Sequence, residues 1–189
     1  MLELRIGHTT IELRFLFLAM LTLCLLLDET GIAVMGLLAG TMHECGHLIA
    51  VLLTGFSPKR IAFEMTGIRM EHPLSRLTNR KEAVVLLAGS MVNFIMLPVC
   101  FFMGWQAFGA THLVLGVMNL MPFQGLDGGK LLSLLLTRFF SLYKSEKILK
   151  IIQIVLNIFI SIICILLFYH GQGNPTMLVL CIYLWVSIF

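Results

Sequence analysis

Between Gly31 and Gly55 the chain carries one charged residue, Glu44, in a run that is otherwise largely apolar. A stretch of that length, folded as a helix, crosses the roughly 30 Å hydrocarbon core of a bilayer. Comparable runs fall at about 13–27, 83–104, 110–137, 148–169 and 176–189. The composition agrees, with 59% hydrophobic and 12% charged residues and a mean hydropathy of +0.97 over 189 residues. A soluble domain has roughly 45–50% apolar and about 25% charged residues. The expectation is an all-α integral membrane protein of about six transmembrane helices, forming a single polytopic domain over 1–189. The apolar stretch from Phe15 to Leu27 is followed by Asp28-Glu29 with no small-x-small cleavage pattern, so it reads as a retained first span.

Charge supports the count. Arg5 and Arg14 precede the first run. Lys59, Arg60, Arg69, Arg76, Arg80 and Lys81 lie between the second and third, and Arg138, Lys144, Lys147 and Lys150 between the fourth and fifth. The three alternate connectors hold no Lys or Arg, and Lys130 lies late in the fourth run. Six spans put every basic connector on one side, which the positive-inside rule assigns to the cytoplasm together with both termini. A bacterial cytoplasmic membrane is the expected location. Within the 56–82 connector, Ile61, Phe63 and Met65, then Thr66-Gly67, then Ile68 and Met70 alternate as in a small cytoplasmic β-hairpin between helices 2 and 3. The five cysteines are scattered through apolar runs without a CxxC pair, so neither a disulfide framework nor a thiolate metal site is expected.

The residue types inside the second run are out of place in lipid. His43 and His47 are four apart, so on a helix they project from one face and can reach one metal ion. Glu44 beside them can take a proton from an attacking water and return it to a leaving amine. An ionised side chain at midspan costs about 2.5–3.5 kcal/mol on insertion scales, so this grouping needs a function. A catalytic zinc keeps three protein ligands and an open position. A metzincin pattern fails, because Ala50 and Leu53 stand where Gly and His are required. Glu64 and Glu71 fall in the expected hairpin. Asp127 is the better third ligand: it and His47 both lie about 12–15 Å from the cytoplasmic face, counted along their runs. Pro122, Gly125, Gly128 and Gly129 interrupt the fourth run there, as a wet cavity in a membrane protein allows.

His43-Glu44-Cys45-Gly46-His47, followed by Asn119 through Pro122 to Asp127-Gly128, resembles the site-2 protease family of intramembrane metalloproteases, which carries HExxH in one span and NxxPxxxxDG in a later one. Leu87-Ala88-Gly89-Ser90-Met91-Val92-Asn93 is similar to the family's AGPxxN segment, with Ser90 where proline is usual, a departure expected to affect a helix start or kink. The resemblance covers about 31–138, the expected catalytic core. It implies Zn²⁺ held by His43, His47 and Asp127, Glu44 as catalytic base, and Asn119 in contact with substrate. The implied activity is that of a zinc metalloendopeptidase cleaving a membrane-embedded or membrane-associated protein near the cytoplasmic side, in regulated intramembrane proteolysis. The layout is nearest the sporulation branch that processes a pro-sigma factor, without a PDZ or CBS domain. The implied surroundings are the lipid bilayer, a membrane substrate and room for a regulatory membrane partner. The alternative is a catalytically silent relative that retains a membrane partner. A zinc transporter is disfavoured, since no transport-type repeat occurs.

Other residues are assigned simpler roles. Gly36 and Gly40 form a GxxxG helix-packing face, with Gly46 serving similarly. His8, His72, His112 and His170 are read as interfacial or loop residues. Asn93, Gln153 and Asn157 are read as interhelical hydrogen-bonding groups, with Asn93 near the site. The methionines fill apolar space. The basic connectors lack interleaved aromatics, so no nucleic acid is expected.

Overall fold

A computed structural model of the chain describes residues 2–6, 9–13, 15–55, 60–64, 67–71, 78–171 and 175–186. The elements run β1 (Leu2–Ile6), β2 (Thr9–Leu13), α1 (Phe15–Leu26), α2 (Ile32–Leu53), β3 (Arg60–Glu64), β4 (Gly67–Glu71), α3 (Asn79–Phe102), α4 (Gln106–Leu120), α5 (Asp127–Leu136), α6 (Leu142–Tyr169) and α7 (Pro175–Val186). They fall into two compact units, Met1–Val117 and Met118–Phe189. His8, Lys59, Thr66, His72 and Arg76 lie outside the described residues.

The chain is mostly helical and is a membrane protein. By length and composition, α2, α3 and α6 can cross a bilayer, with 22, 24 and 28 residues. At about 1.5 Å per residue each exceeds 30 Å. The expectation of six full spans is corrected, because α1, α4, α5 and α7 have 12, 15, 10 and 12 residues. One cause is visible: the expected fourth span, 110–137, is divided into α4 and α5 by the non-helical stretch around Pro122 and Gly125.

The all-α expectation is also corrected, since the first unit contains a four-stranded sheet of order β1-β2-β3-β4. Strands β3 and β4 pair antiparallel, with Ile61 opposite Met70 and Phe63 opposite Ile68. Strands β1 and β2 also pair antiparallel, and β2 runs parallel to β3 with Ile11 opposite Ile61. Leu2-Glu3-Leu4-Arg5-Ile6 has the period-two alternation of a strand, a signal masked by the basic character of the segment.

Asp28 starts α2. Its Oδ2 accepts from the Val34 N–H at 3.1 Å, and its Oδ1 accepts from the Thr30 hydroxyl at 3.2 Å. Desolvation alone raises the Asp28 pKa, but hydrogen bonds from Val34 and Thr30 outweigh it and hold the carboxyl below its ordinary value. Gly31 at the N-cap takes φ +76°, a conformation that favours glycine.

Along α2 the buried residues Ala39, His43, Gly46, His47, Ala50 and Val51 form one helical stripe, while Ile49, Leu52 and Leu53 are exposed as a lipid-facing surface. The stripe meets α3: Ala50 and Val51 form a core with Val85, packed against Ala88. A Cβ on Gly46 would lie 2.7 Å from the Ala88 carbonyl oxygen and 2.8 Å from a Val92 methyl. Close helix approach therefore belongs to Gly46. Gly36 and Gly40, expected to form the packing face, have nothing among the described residues within 4 Å of a Cβ position. Helix α3 runs unbroken through Ser90, so the departure from proline marks neither a start nor an end, and Pro98 lies inside the same helix.

In the second unit, α6 packs against α5 and α7. Trp185 donates its indole N–H to the Ser161 hydroxyl at 3.1 Å, and the buried Cys164 and Cys181 sulfurs are 3.3 Å apart. Asn157 is fully buried, and among the described residues neither of its amide atoms has a hydrogen-bond partner, unlike the interhelical bonding expected.

The Gly46 contact is testable. Gly46→Leu should destabilise the protein by about 1–3 kcal/mol, the usual cost of overpacking. Gly36→Leu, on the open face, should leave stability near wild type. Denaturant-induced unfolding in detergent measures both.

Candidate metal centre

The HExxH motif sits in the middle of α2, so its two histidines share the buried stripe while Glu44 is half-buried and Cys45 exposed. The His43 and His47 Nε2 atoms converge to 3.1 Å, with the rings edge-on at a centroid distance of 4.7 Å. Two nitrogens bound to one tetrahedral zinc at Zn–N of about 2.0–2.1 Å lie roughly 3.3–3.4 Å apart, so the observed spacing fits a shared ion.

Each ring is fixed by its other nitrogen. His47 Nδ1 lies 2.7 Å from the Val85 carbonyl oxygen. A carbonyl can only accept, so Nδ1 carries the proton and the Nε2 lone pair is available to a metal. His43 Nδ1 lies 3.1 Å from the carboxamide of Asn93, which in turn lies 3.0 Å from His112 Nδ1. Asn93 and His112 are both fully buried.

Glycine makes this geometry possible. A Cβ on Gly89 would lie 2.5 Å from His47 Nε2 and 2.7 Å from His43 Nε2, so a larger residue there displaces the rings. Val85, Gly89 and Asn93 recur every four residues and face the histidines as a carbonyl, a gap and an amide. At Gly116, one turn beyond His112, a Cβ would lie 3.2 Å from the Asn93 side chain, so the same device lets α4 approach α3.

Asp127 is the first residue of α5 and is buried. Its carboxylate accepts from Lys130 Nζ at 3.3 Å. The helix start is held closely, because a Cβ on Gly128 or Gly129 would collide with the carbonyls of Leu120 or Phe123, respectively. Phe123 anchors the loop with 2% exposure. Asn119 is half-buried near the end of α4. Glu64 and Glu71 end strands β3 and β4.

Two features escaped the sequence reading. His112 is not an interfacial residue but a buried partner of Asn93; its position seven residues before Asn119, two helical turns on one face, was the available signal. Lys130 pairs with Asp127 at i,i+3 spacing, which was also legible.

Residues 99–164 match the model of peptidase family M50. Among solved structures, the site-2 protease from Methanocaldococcus jannaschii is similar in fold, with a TM-score of 0.68 and 21% identity over 99% of this chain and 93% of that chain. The family match covers residues 99–164, about a third of the chain, and the likeness to the solved structure is one of fold. A search of curated proteins found no match. The family match includes Asn119 and Asp127, while the histidine motif precedes it.

Gly89→Ala should keep its helix content by circular dichroism but purify with markedly less bound metal than wild type. Metal quantification per protein checks this, and an unchanged metal content would show that the rings do not depend on the Gly89 gap.

Proposed function

We propose that the protein is an intramembrane zinc metalloprotease that hydrolyses a peptide bond in a membrane-embedded or membrane-associated protein substrate near the cytoplasmic side. The observation that carries the reading is the convergence of His43 Nε2 and His47 Nε2 at 3.1 Å with both Nδ1 atoms tied to α3. Ligating imidazoles are held in this way, by a hydrogen bond at the opposite nitrogen.

In this reading His43, His47 and Asp127 are the zinc ligands, a hard nitrogen and oxygen donor set suited to a catalytic site. When bound, zinc supplies Lewis acidity toward the scissile carbonyl and toward water. Glu44 takes the proton of the attacking water and hands it to the departing amine. Asn119 contacts the substrate backbone. Residues 31–138 are the catalytic core of one membrane domain, and the broken stretch between α4 and α5 is the route for water. The substrate must unwind locally to expose its peptide bond, and the free edge of the β3–β4 pair offers a strand to hold it. The expected setting is the bacterial cytoplasmic membrane with the termini and basic connectors cytoplasmic, and a layout of the sporulation type used in regulated proteolysis. A silent relative that only retained a partner would have no use for Glu44 between the two histidines.

Glu44→Gln should keep bound zinc and lose cleavage of a membrane substrate by about 10²–10⁴-fold, the usual contribution of a general base. Metal analysis beside a cleavage assay reads both, and undiminished cleavage would reject the mechanism. A reporter fused after Ser75 should report the cytoplasm; a signal from the opposite side would reverse the orientation.

A further inference from the structure

A line of polar side chains runs from α4 to α2: His112 Nδ1 lies 3.0 Å from the Asn93 carboxamide, and that carboxamide lies 3.1 Å from His43 Nδ1. With the proton of His47 on Nδ1, facing the Val85 carbonyl, its Nε2 lone pair is open to a metal. His112 Nε2, at the far end, is buried and has no hydrogen-bond partner among the described residues.

A metal on His43 requires the lone pair of Nε2, and the ring proton then sits on Nδ1. That proton cannot face an amide N–H, so the Asn93 carboxamide presents Oδ1 to His43 and Nδ2 to His112, the orientation of an amide being set by its hydrogen-bond partners. His112 Nδ1 then accepts, and the His112 proton sits on Nε2.

We infer that His112 is a positioning residue for the metal ligand His43, acting through Asn93, whose amide it holds with the oxygen toward His43. The inference rests on the metal reading of the site given above. Three observations make His112 suited to the task. Its ring is fully buried and packed edge-on against Phe108 at 4.5 Å, so its orientation is fixed. Gly116 brings its helix against Asn93. Its outer nitrogen faces no competing partner among the described residues, so either tautomer is compatible with the surroundings. A side chain able only to donate would hold the Asn93 oxygen away from His43 and set two donors against each other. An apolar side chain would leave the buried amide half-satisfied and free to present either end.

The test uses the full-length protein in detergent with ¹⁵N-labelled histidine. Zinc-loaded protein should show His112 protonated on Nε2. A His112 protonated on Nδ1 in the zinc-loaded protein overturns the inference. Zinc affinity, measured by competition with a chelator, provides a second readout. Asn93→Leu should weaken binding about 10–100-fold, the usual effect of losing a group that orients a ligand, and His112→Leu about tenfold. His112→Gln should stay close to wild type, because its amide can donate or accept. Equal affinity of His112→Leu and wild type, with helix content preserved, rejects His112 as a positioning residue while leaving the metal site standing. A wild-type protein that takes up no zinc removes the metal reading and this inference together.

Discussion

The close approach of α2 and α3 is the constraint on which the histidine site depends. Gly46 on α2 lets the helices meet at Ala88 and Val92, and Gly89 on α3 leaves the space in which the two imidazoles sit. Only at that separation do the His47 ring and the Val85 carbonyl come to 2.7 Å, and the His43 ring and the Asn93 amide to 3.1 Å. The pairing of the later histidine with the earlier α3 residue means that the helices run antiparallel. One face of α3 therefore supplies an acceptor, a gap and an amide at successive turns, each opposite the part of α2 that needs it.

This arrangement also answers the energetic problem of polar groups in a lipid-spanning segment. A buried polar group without a partner costs about 1–3 kcal/mol, and more where water is excluded. His43 and His47 each have a polar partner on α3, Asn93 and the Val85 carbonyl respectively, and a helical carbonyl has a second lone pair to offer. The same economy is absent at Asn157, which is as deeply buried but has no partner at either amide atom among the described residues. The contrast separates a polar residue held in place by its surroundings from one that merely lies in a span.

Much of this was legible in the residues, and the limits have physical causes. The i,i+4 spacing of His43 and His47 fixes their common face, and apolar runs show where helices lie, so α2 and α3 were found within a few residues of their ends. The glycines that bring helices together were not legible, because a GxxxG pattern tells nothing about which face meets a neighbour: Gly36 and Gly40 meet nothing among the described residues while Gly46 and Gly89 make the contact. His112 was misplaced because its position near a run boundary hid its register with Asn119. The sheet was half-seen. Alternation in 61–70 marked two strands, whereas β1 and β2 were read as a charged approach to the first span, and a parallel pairing of β2 with β3 across two intervening helices leaves no local signal.

In the proposed ligand set, the two donor types are delivered by two different local devices. Imidazole ligands must be neutral, and they are placed in the middle of a long apolar helix, where their orientation comes from the facing helix rather than from solvent. A carboxylate must be charged, and mid-helix it would meet the full cost of burial. Asp127 instead occupies the first turn of α5, where unpaired backbone N–H groups and the helix dipole favour negative charge, and Lys130 one turn on adds a cation at 3.3 Å. The helix must therefore begin where the carboxylate is needed, inside the stretch that would otherwise be one continuous span. The Pro122 break, the buried Phe123 and the paired glycines that let the loop fold against the start of α5 follow from that requirement. On this argument the break between α4 and α5 is not a defect in a transmembrane helix but the means by which a charged residue is held at depth.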